Sequence, residues 1–127
     1  MSKKYAALDI GLKRIGVAIC LASDIVTPLS AVLRKNRDQA SRDCLTLLNE
    51  WEIDTLIVGY PASSPDMQRR IDHFINLLNF DGEVIKQNED MSSIEAENLI
   101  KGDIKYKRDG RIDSIAAQII LQRYLNS

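Results

Sequence analysis

Apolar residues in the first quarter of the chain come in short blocks separated by polar turns. Tyr5–Ile10, Ile15–Leu21 and Ile25–Leu33 read as β-strands. The connections between them, Gly-Leu-Lys-Arg and Ala-Ser-Asp, are of turn length and predict an antiparallel meander. The period then changes. In DQASRDCLTLLNEWEI, residues Ala40, Cys44, Leu47, Leu48 and Trp51 fall on one helical face, with Asp38 placed to act as the N-cap. DTLIVGYP is a continuous apolar run closed by glycine and proline, the pattern of a strand covered on both faces. Ile71, Phe74, Ile75 and Leu78 mark a second amphipathic helix, and GEVIKQ another short strand. SSIEAENLI opens with Ser92 and Glu95 in capping-box spacing. The final helix, RIDSIAAQIILQRYL, is striped by Ile112, Ile115, Ala116, Ile119 and Ile120.

The order β-β-β-α-β-α-β-α-α predicts an α/β fold. Its sheet should be mixed, antiparallel at the start and parallel afterwards, with helices on both faces. No repeat, low-complexity tract or linker divides the sequence, so residues 1–127 are expected to form one domain around one core.

Composition narrows the possible roles. Hydrophobic residues at 45% and charged residues at 28% exclude wholesale disorder. No apolar run is long enough to cross a bilayer, and Met-Ser-Lys-Lys leads straight into a strand, so a cytoplasmic protein without a membrane partner is expected. Cys20 and Cys44 lack metal-ligand spacing and read as buried thiols. A net charge of −1 argues against a general polyanion-coating protein, so any anionic polymer must be met by local patches. The clearest runs through Lys101, Lys105, Lys107, Arg108 and Arg111, interrupted by Asp103 and Asp109; a solvated loop is the alternative reading. Tyr106, between Lys105 and Lys107, is the one local aromatic placed to stack on a base.

Candidate chemistry begins at Asp9, which interrupts the apolar first strand. A carboxylate there needs a cation or hydrogen-bond donors, because burying it bare is costly. Gly11 permits a tight turn or close approach of a phosphate. Two roles fit Asp9: a local cap of the turn, or part of a site. Glu89 follows the GEVIKQ strand, and parallel strands would bring it to the same C-terminal edge as Asp9, where open α/β sheets carry their sites. Asp113 opens the last helix, either as a helix-end acid or as a third member of that edge. The small Ala116–Ala117 pair would let this helix pack closely on the sheet.

The stretches LDIGLKRIGVAI, LIVGYP, NEDMSSIEAENLI and DSIAAQIILQRYL resemble, in order and approximate spacing, those of the YqgF/RuvX family, from Leu8 to Leu125. The resemblance implies an RNase H-like fold with a mixed five-stranded sheet. It also implies a nuclease of structured nucleic acid, acting on the 5′ end of pre-16S rRNA in ribosome biogenesis or as a Holliday junction resolvase. The family's acidic positions fall on Asp9, Glu89 and Asp113. Together these would hold one or two Mg²⁺ or Mn²⁺ ions, hard cations that prefer oxygen ligands. With two ions about 4 Å apart, one would activate water and the other stabilise the leaving oxygen. Asp9 would bridge them. Lys13, Arg14, Lys107 and Arg108 would bind substrate, although Arg14 fits a structural ion pair equally well. The implied partners are structured RNA, branched DNA and pre-ribosomal particles, with the oligomeric state open.

The chain departs from the family pattern at Asn88-Glu89-Asp90, where the family reads Asp-Glu-Arg. Asp90 thus puts an anion where a cation is usual. The loop after LIVGYP is short and lacks glycines, running ASSPDMQRR; its Arg69 and Arg70 suit either a phosphate contact or a solvated helix face. His73 reads as an exposed polar residue. These departures motivate a second expectation, a catalytically weak RNA-binding module in ribosome maturation. Actin-like ATPases share the Asp-x-Gly hairpin, but they need two such domains, and no Gly-x-x-x-x-Gly-Lys loop is present.

Overall fold

The computed structural model of the chain describes residues 3–21, 25–88 and 111–126, with the side chains of all of these except 111–113. The elements are β1 (Tyr5–Ile10), β2 (Arg14–Cys20), β3 (Thr27–Leu33), α1 (Arg37–Glu50), β4 (Thr55–Tyr60), α2 (Pro65–Leu78), β5 (Glu83–Asn88) and α3 (Arg111–Asn126). The capping box expected at Ser92 and Glu95, with the helix it would open, lies outside the described residues. The sheet runs β3-β2-β1-β4-β5. β1 pairs antiparallel with β2, and β2 with β3, whereas β1–β4 and β4–β5 are parallel. This is the mixed sheet that the strand and helix periods predict.

Helices cover both faces. On one side Ala6, Leu8 and Ile10 of β1, with Leu56 and Val58 of β4, meet Ala40, Cys44 and Leu48 of α1 and Ile71, Phe74 and Leu78 of α2. On the other side Ala7, Ala18 and Ile57 meet Ala117, Ile120 and Leu121 of α3. Alternate β1 residues therefore serve opposite cores, which is why its sequence, like that of β4, lacks a solvent-facing polar stripe. Alanines on both sides of the second interface permit close approach. Ala117 takes part in it, whereas Ala116 clusters with Ile115 and Ile119. Cys20 and Cys44 are both buried, as their apolar surroundings in the sequence suggested. Burial above all pushes the Cys44 thiol up to about 12, with Asp43 adding to the effect, so it is inert as a nucleophile at neutral pH.

Three local expectations are corrected. The N-cap of α1 is Asn36, not Asp38: Asn36 Oδ1 accepts from the Gln39 N–H at 2.7 Å, and Gln39 Oε1 accepts from the Asn36 N–H in return. Asp38 sits inside the first turn, where its charge favours the helix dipole. Trp51 forms the C-cap of α1, one residue past its last helical position, and is 38% exposed. β3 starts at Thr27 instead of Ile25, which is exposed.

Register along β2 breaks once. Ile15 pairs with Val32 and Val17 with Leu29, so Gly16 alone faces Ser30 and Ala31, a bulge in β3. Beside it, the Val17 N–H donates to Ser114 Oγ at 3.2 Å, and Ser114 is fully buried. This bond ties the first turns of α3 to the centre of β2.

A second polar link fastens α2 across β4 and β5. Tyr60 Oη donates to Asp72 Oδ2 at 3.0 Å, and Lys86 Nζ lies 2.6 Å from Asp72 Oδ1 and 4.7 Å from the Tyr60 ring centroid. The ammonium itself covers Oδ1, although the Asp72 side chain is 42% exposed overall. The Lys86 contact, aided by the Tyr60 hydroxyl, holds the Asp72 carboxyl below its ordinary pKa.

Two predictions follow from these links. Ser114→Ala should cost about 1–3 kcal/mol, the scale of a buried donor left without its partner, read as a lower urea midpoint at unchanged slope. Asp72 has a depressed folded-state pKa, so its contribution is present above the unfolded value and lost as pH falls through the folded one. Solvent screening limits the pair to less than about 1 kcal/mol. Asp72→Asn should therefore be slightly less stable than wild type at neutral pH and equal to it below the carboxylate range, as measured by urea unfolding at both pH values.

Candidate active site

Parallel strands β1, β4 and β5 end at one edge of the sheet. Leu8 pairs with Val58, and Val58 with Lys86, so these three residues are level. Asp9 stands one residue beyond that level and Asn88, the last residue of β5, two beyond it. Glu89 follows Asn88 in the sequence and lies outside the described residues. With neighbouring strands about 4.8 Å apart, β1 and β5 are separated by the width of β4 alone.

Strand alternation from Ala7 turns Asp9 toward the face that α3 covers. Asp9 is half-buried there and does not lack a partner. Its register partner is Gly16, the residue opposite the β3 bulge. Gly16 is buried and brings no side chain to that position. Asp113 is the third residue of α3 and precedes Ser114, whose hydroxyl reaches the Val17 N–H next to Gly16. The backbone of Asp113 thus belongs to the element docked beside Gly16, while its side chain is outside the description.

Gly11 meets a steric demand of the turn. Its N–H donates to the Arg14 carbonyl at 3.0 Å, and a Cβ on Gly11 would stand 2.6 Å from that oxygen. The turn projects Leu12, Lys13 and Arg14 into solvent. It faces the β3–α1 junction across a cleft of about 600 Å³, lined by residues 11–14 and 33–35. Among the described residues, Lys13, Arg14, Arg34 and Lys35 pair with no carboxylate. The alternative of a structural ion pair for Arg14 therefore has no support among them.

Arg34 was missed by the sequence reasoning, because a lone arginine after a strand carries no pattern of its own. In the fold its Nη1 donates to the Gly11 carbonyl at 2.8 Å, and its guanidinium lies 5.7 Å from the Phe74 ring centroid. The Arg34 N–H also donates to the Lys13 carbonyl at 2.9 Å. Burial lowers the Arg34 pKa from its ordinary value, and the neighbouring Arg37 and Arg70 lower it further. Arg70 thus sits at the margin of this positive region, while Arg69 pairs with Asp66 on its own helix and His73 is exposed. Lys107, Arg108 and Tyr106 lie outside the described residues. Among the described residues, no three His, Cys, Asp or Glu side chains come together in a group.

A family described as RuvX, Holliday junction resolvase, matches residues 3–127. A relative from Sulfurimonas denitrificans, named for pre-16S rRNA nuclease activity, is 59% identical over 125 residues, covering 96% of each chain. One of the same name from Sulfurovum sp. is 54% identical over 126 residues, covering 97% of this chain and 98% of its own. Among solved structures, the Holliday junction resolvase of fowlpox virus superposes with a TM-score of 0.59 at 18% identity, over 95% of this chain and 99% of its own. The same viral resolvase in complex with Holliday junction DNA gives a TM-score of 0.55 at 20% identity, over 98% of this chain and 99% of its own. At those identities the likeness concerns the fold, which is RNase H-like. The match over residues 3–127 and the identities above half show that the chain belongs to the RuvX family.

Proposed function

We propose that the chain is a metal-dependent nuclease of structured RNA that processes the 5′ end of pre-16S rRNA, with residues 1–127 acting as one cytoplasmic domain. The observation that carries this reading is the half-buried Asp9 at the C-terminal sheet edge, two residues from a cation-lined turn. The names of its relatives support the substrate class. No helix among the described residues is long and apolar enough to cross a membrane.

Asp9, Glu89 and Asp113 offer only carboxylate oxygens, a donor set suited to Mg²⁺ or Mn²⁺. The reading gains support from the common edge at which β1 and β5 end, and from the Ser114 bond that docks α3 beside Gly16. A divalent ion bound by these carboxylates would supply Lewis acidity and ionise water at neutral pH. Asp9, fixed by the central strand, positions the ion-binding oxygens at low cost in side-chain freedom. Lys13 and Arg14, without carboxylate partners among the described residues, neutralise the non-bridging oxygens of the substrate phosphate. Lys107 and Arg108 bind the backbone farther along the strand.

The description of the family favours a second substrate, the four-way DNA junction. One experiment separates the two. End-labelled pre-16S rRNA fragment and a labelled DNA junction are each incubated with wild type or Asp9→Asn, in Mg²⁺, Mn²⁺ or EDTA. Wild type should cut the RNA with either metal and not in EDTA. Asp9→Asn should lose at least about a hundredfold in rate, the scale of removing one main stabiliser of transition-state charge. Cleavage of the junction in preference to RNA would transfer the assignment to resolution. Unchanged cleavage by Asp9→Asn would remove Asp9 from the site, and RNA binding without turnover by folded wild type would leave an RNA-binding module.

A further inference from the structure

The cleft beside the β1–β2 turn is more than a row of cations. Leu12 and Leu33 are 58% and 61% exposed, and both line it together with Lys13, Arg14, Arg34 and Lys35. A surface that only followed a phosphate backbone would need the cations and gain nothing from two solvent-facing leucines. Leucines flanked by cations suit a nucleotide that has left its base stack: its phosphate meets the charges, and its ribose and base remove the apolar side chains from water.

Arg34 makes the two walls of this cleft one unit. Its bond to the Gly11 carbonyl and its place over Phe74 join the turn to the β3–α1 junction, so the lining is ordered before anything binds. Arg37 and Arg70 add positive charge close enough to disfavour the Arg34 cation. An anion seated there would relieve that repulsion. The turn begins two residues after Asp9, at the same end of β1, with Asp9 facing α3 and Arg34 lying against Phe74 on the α1–α2 side.

Resting on the nuclease reading above, we propose that this cleft is a subsite for one unstacked nucleotide of the substrate strand, with its phosphate on Lys13, Arg14 and Lys35 and its ribose and base against Leu12 and Leu33. Arg34 joins its two walls through the Gly11 carbonyl. The subsite selects RNA that has a single-stranded segment beside the scissile bond over continuous duplex.

Fluorescence anisotropy in EDTA tests this with two labelled RNA hairpins, one blunt and one carrying a 5′ single-stranded overhang. Wild type should bind the overhang hairpin more tightly. Leu12→Ser should weaken that binding about fivefold, the scale of losing part of one leucine's apolar burial, and leave the blunt hairpin within about twofold of wild type. Lys35→Gln should weaken both and lower the slope of log affinity against log salt by about one. Equal binding of the two hairpins by wild type, or a Leu12→Ser variant that keeps the preference, overturns the subsite. Matching thermal melts establish that both variants are folded. Adding Mg²⁺ to the same samples reads cleavage separately: cleavage without the preference leaves the nuclease reading standing, and the preference without cleavage removes that reading alone.

Discussion

β1 is flanked by β2 and β4, covered by α1 and α2 on one face and by α3 on the other, so that Ala6, Ala7 and Leu8 are almost wholly removed from water. A strand in that position tolerates no polar side chain along its length, because nothing could solvate it. Polarity can enter only where the cover stops, and it does so at Asp9, one residue before the strand ends. The same constraint shapes the neighbours. The small residues at 6, 7, 18 and 117 let sheet and helix close on β1, and the register partner of Asp9 is Gly16.

The edge beside Asp9 is held by polar bonds instead of apolar contact alone. At the β3 bulge the Val17 N–H is met by a hydroxyl from a helix nearly a hundred residues later in the chain. A buried N–H needs a partner, and a helix that supplies it is fixed in position along the sheet as well as in rotation. The position of α3 therefore follows from Ser114 and from Ala117, and Asp113 is carried with it.

Charge is arranged on the same principle of local demand. The chain as a whole is nearly neutral, yet the turn after Asp9 and the end of β3 gather cations that pair with no described carboxylate. Part of that charge is built into the fold: Arg34 fastens the turn to the β3–α1 junction. Removing it would loosen the cleft as well as weaken its field. Elsewhere opposite charges neutralise one another, as in the Asp72–Lys86 link between α2 and β5 and the Asp66–Arg69 pair.

Sequence alone was enough for whatever depends on period and local chemistry. The doubly covered strands announced themselves as unbroken apolar runs, the amphipathic helices by their spacing, and the mixed sheet by the order of elements. Asp9 was legible as an acid in a place where acids are costly. The α1 cap was misread because Asn36 and Asp38 are both good capping residues, and only the reciprocal bonds with Gln39 distinguish them. Three features belonged to the tertiary structure. The β3 bulge depends on register between strands, the Ser114–Val17 bond joins distant parts of the chain, and the Arg34 cleft forms only when a turn and a strand end are brought face to face. Periodicity reports how one segment meets its surroundings; it carries no information about which distant segment those surroundings will be.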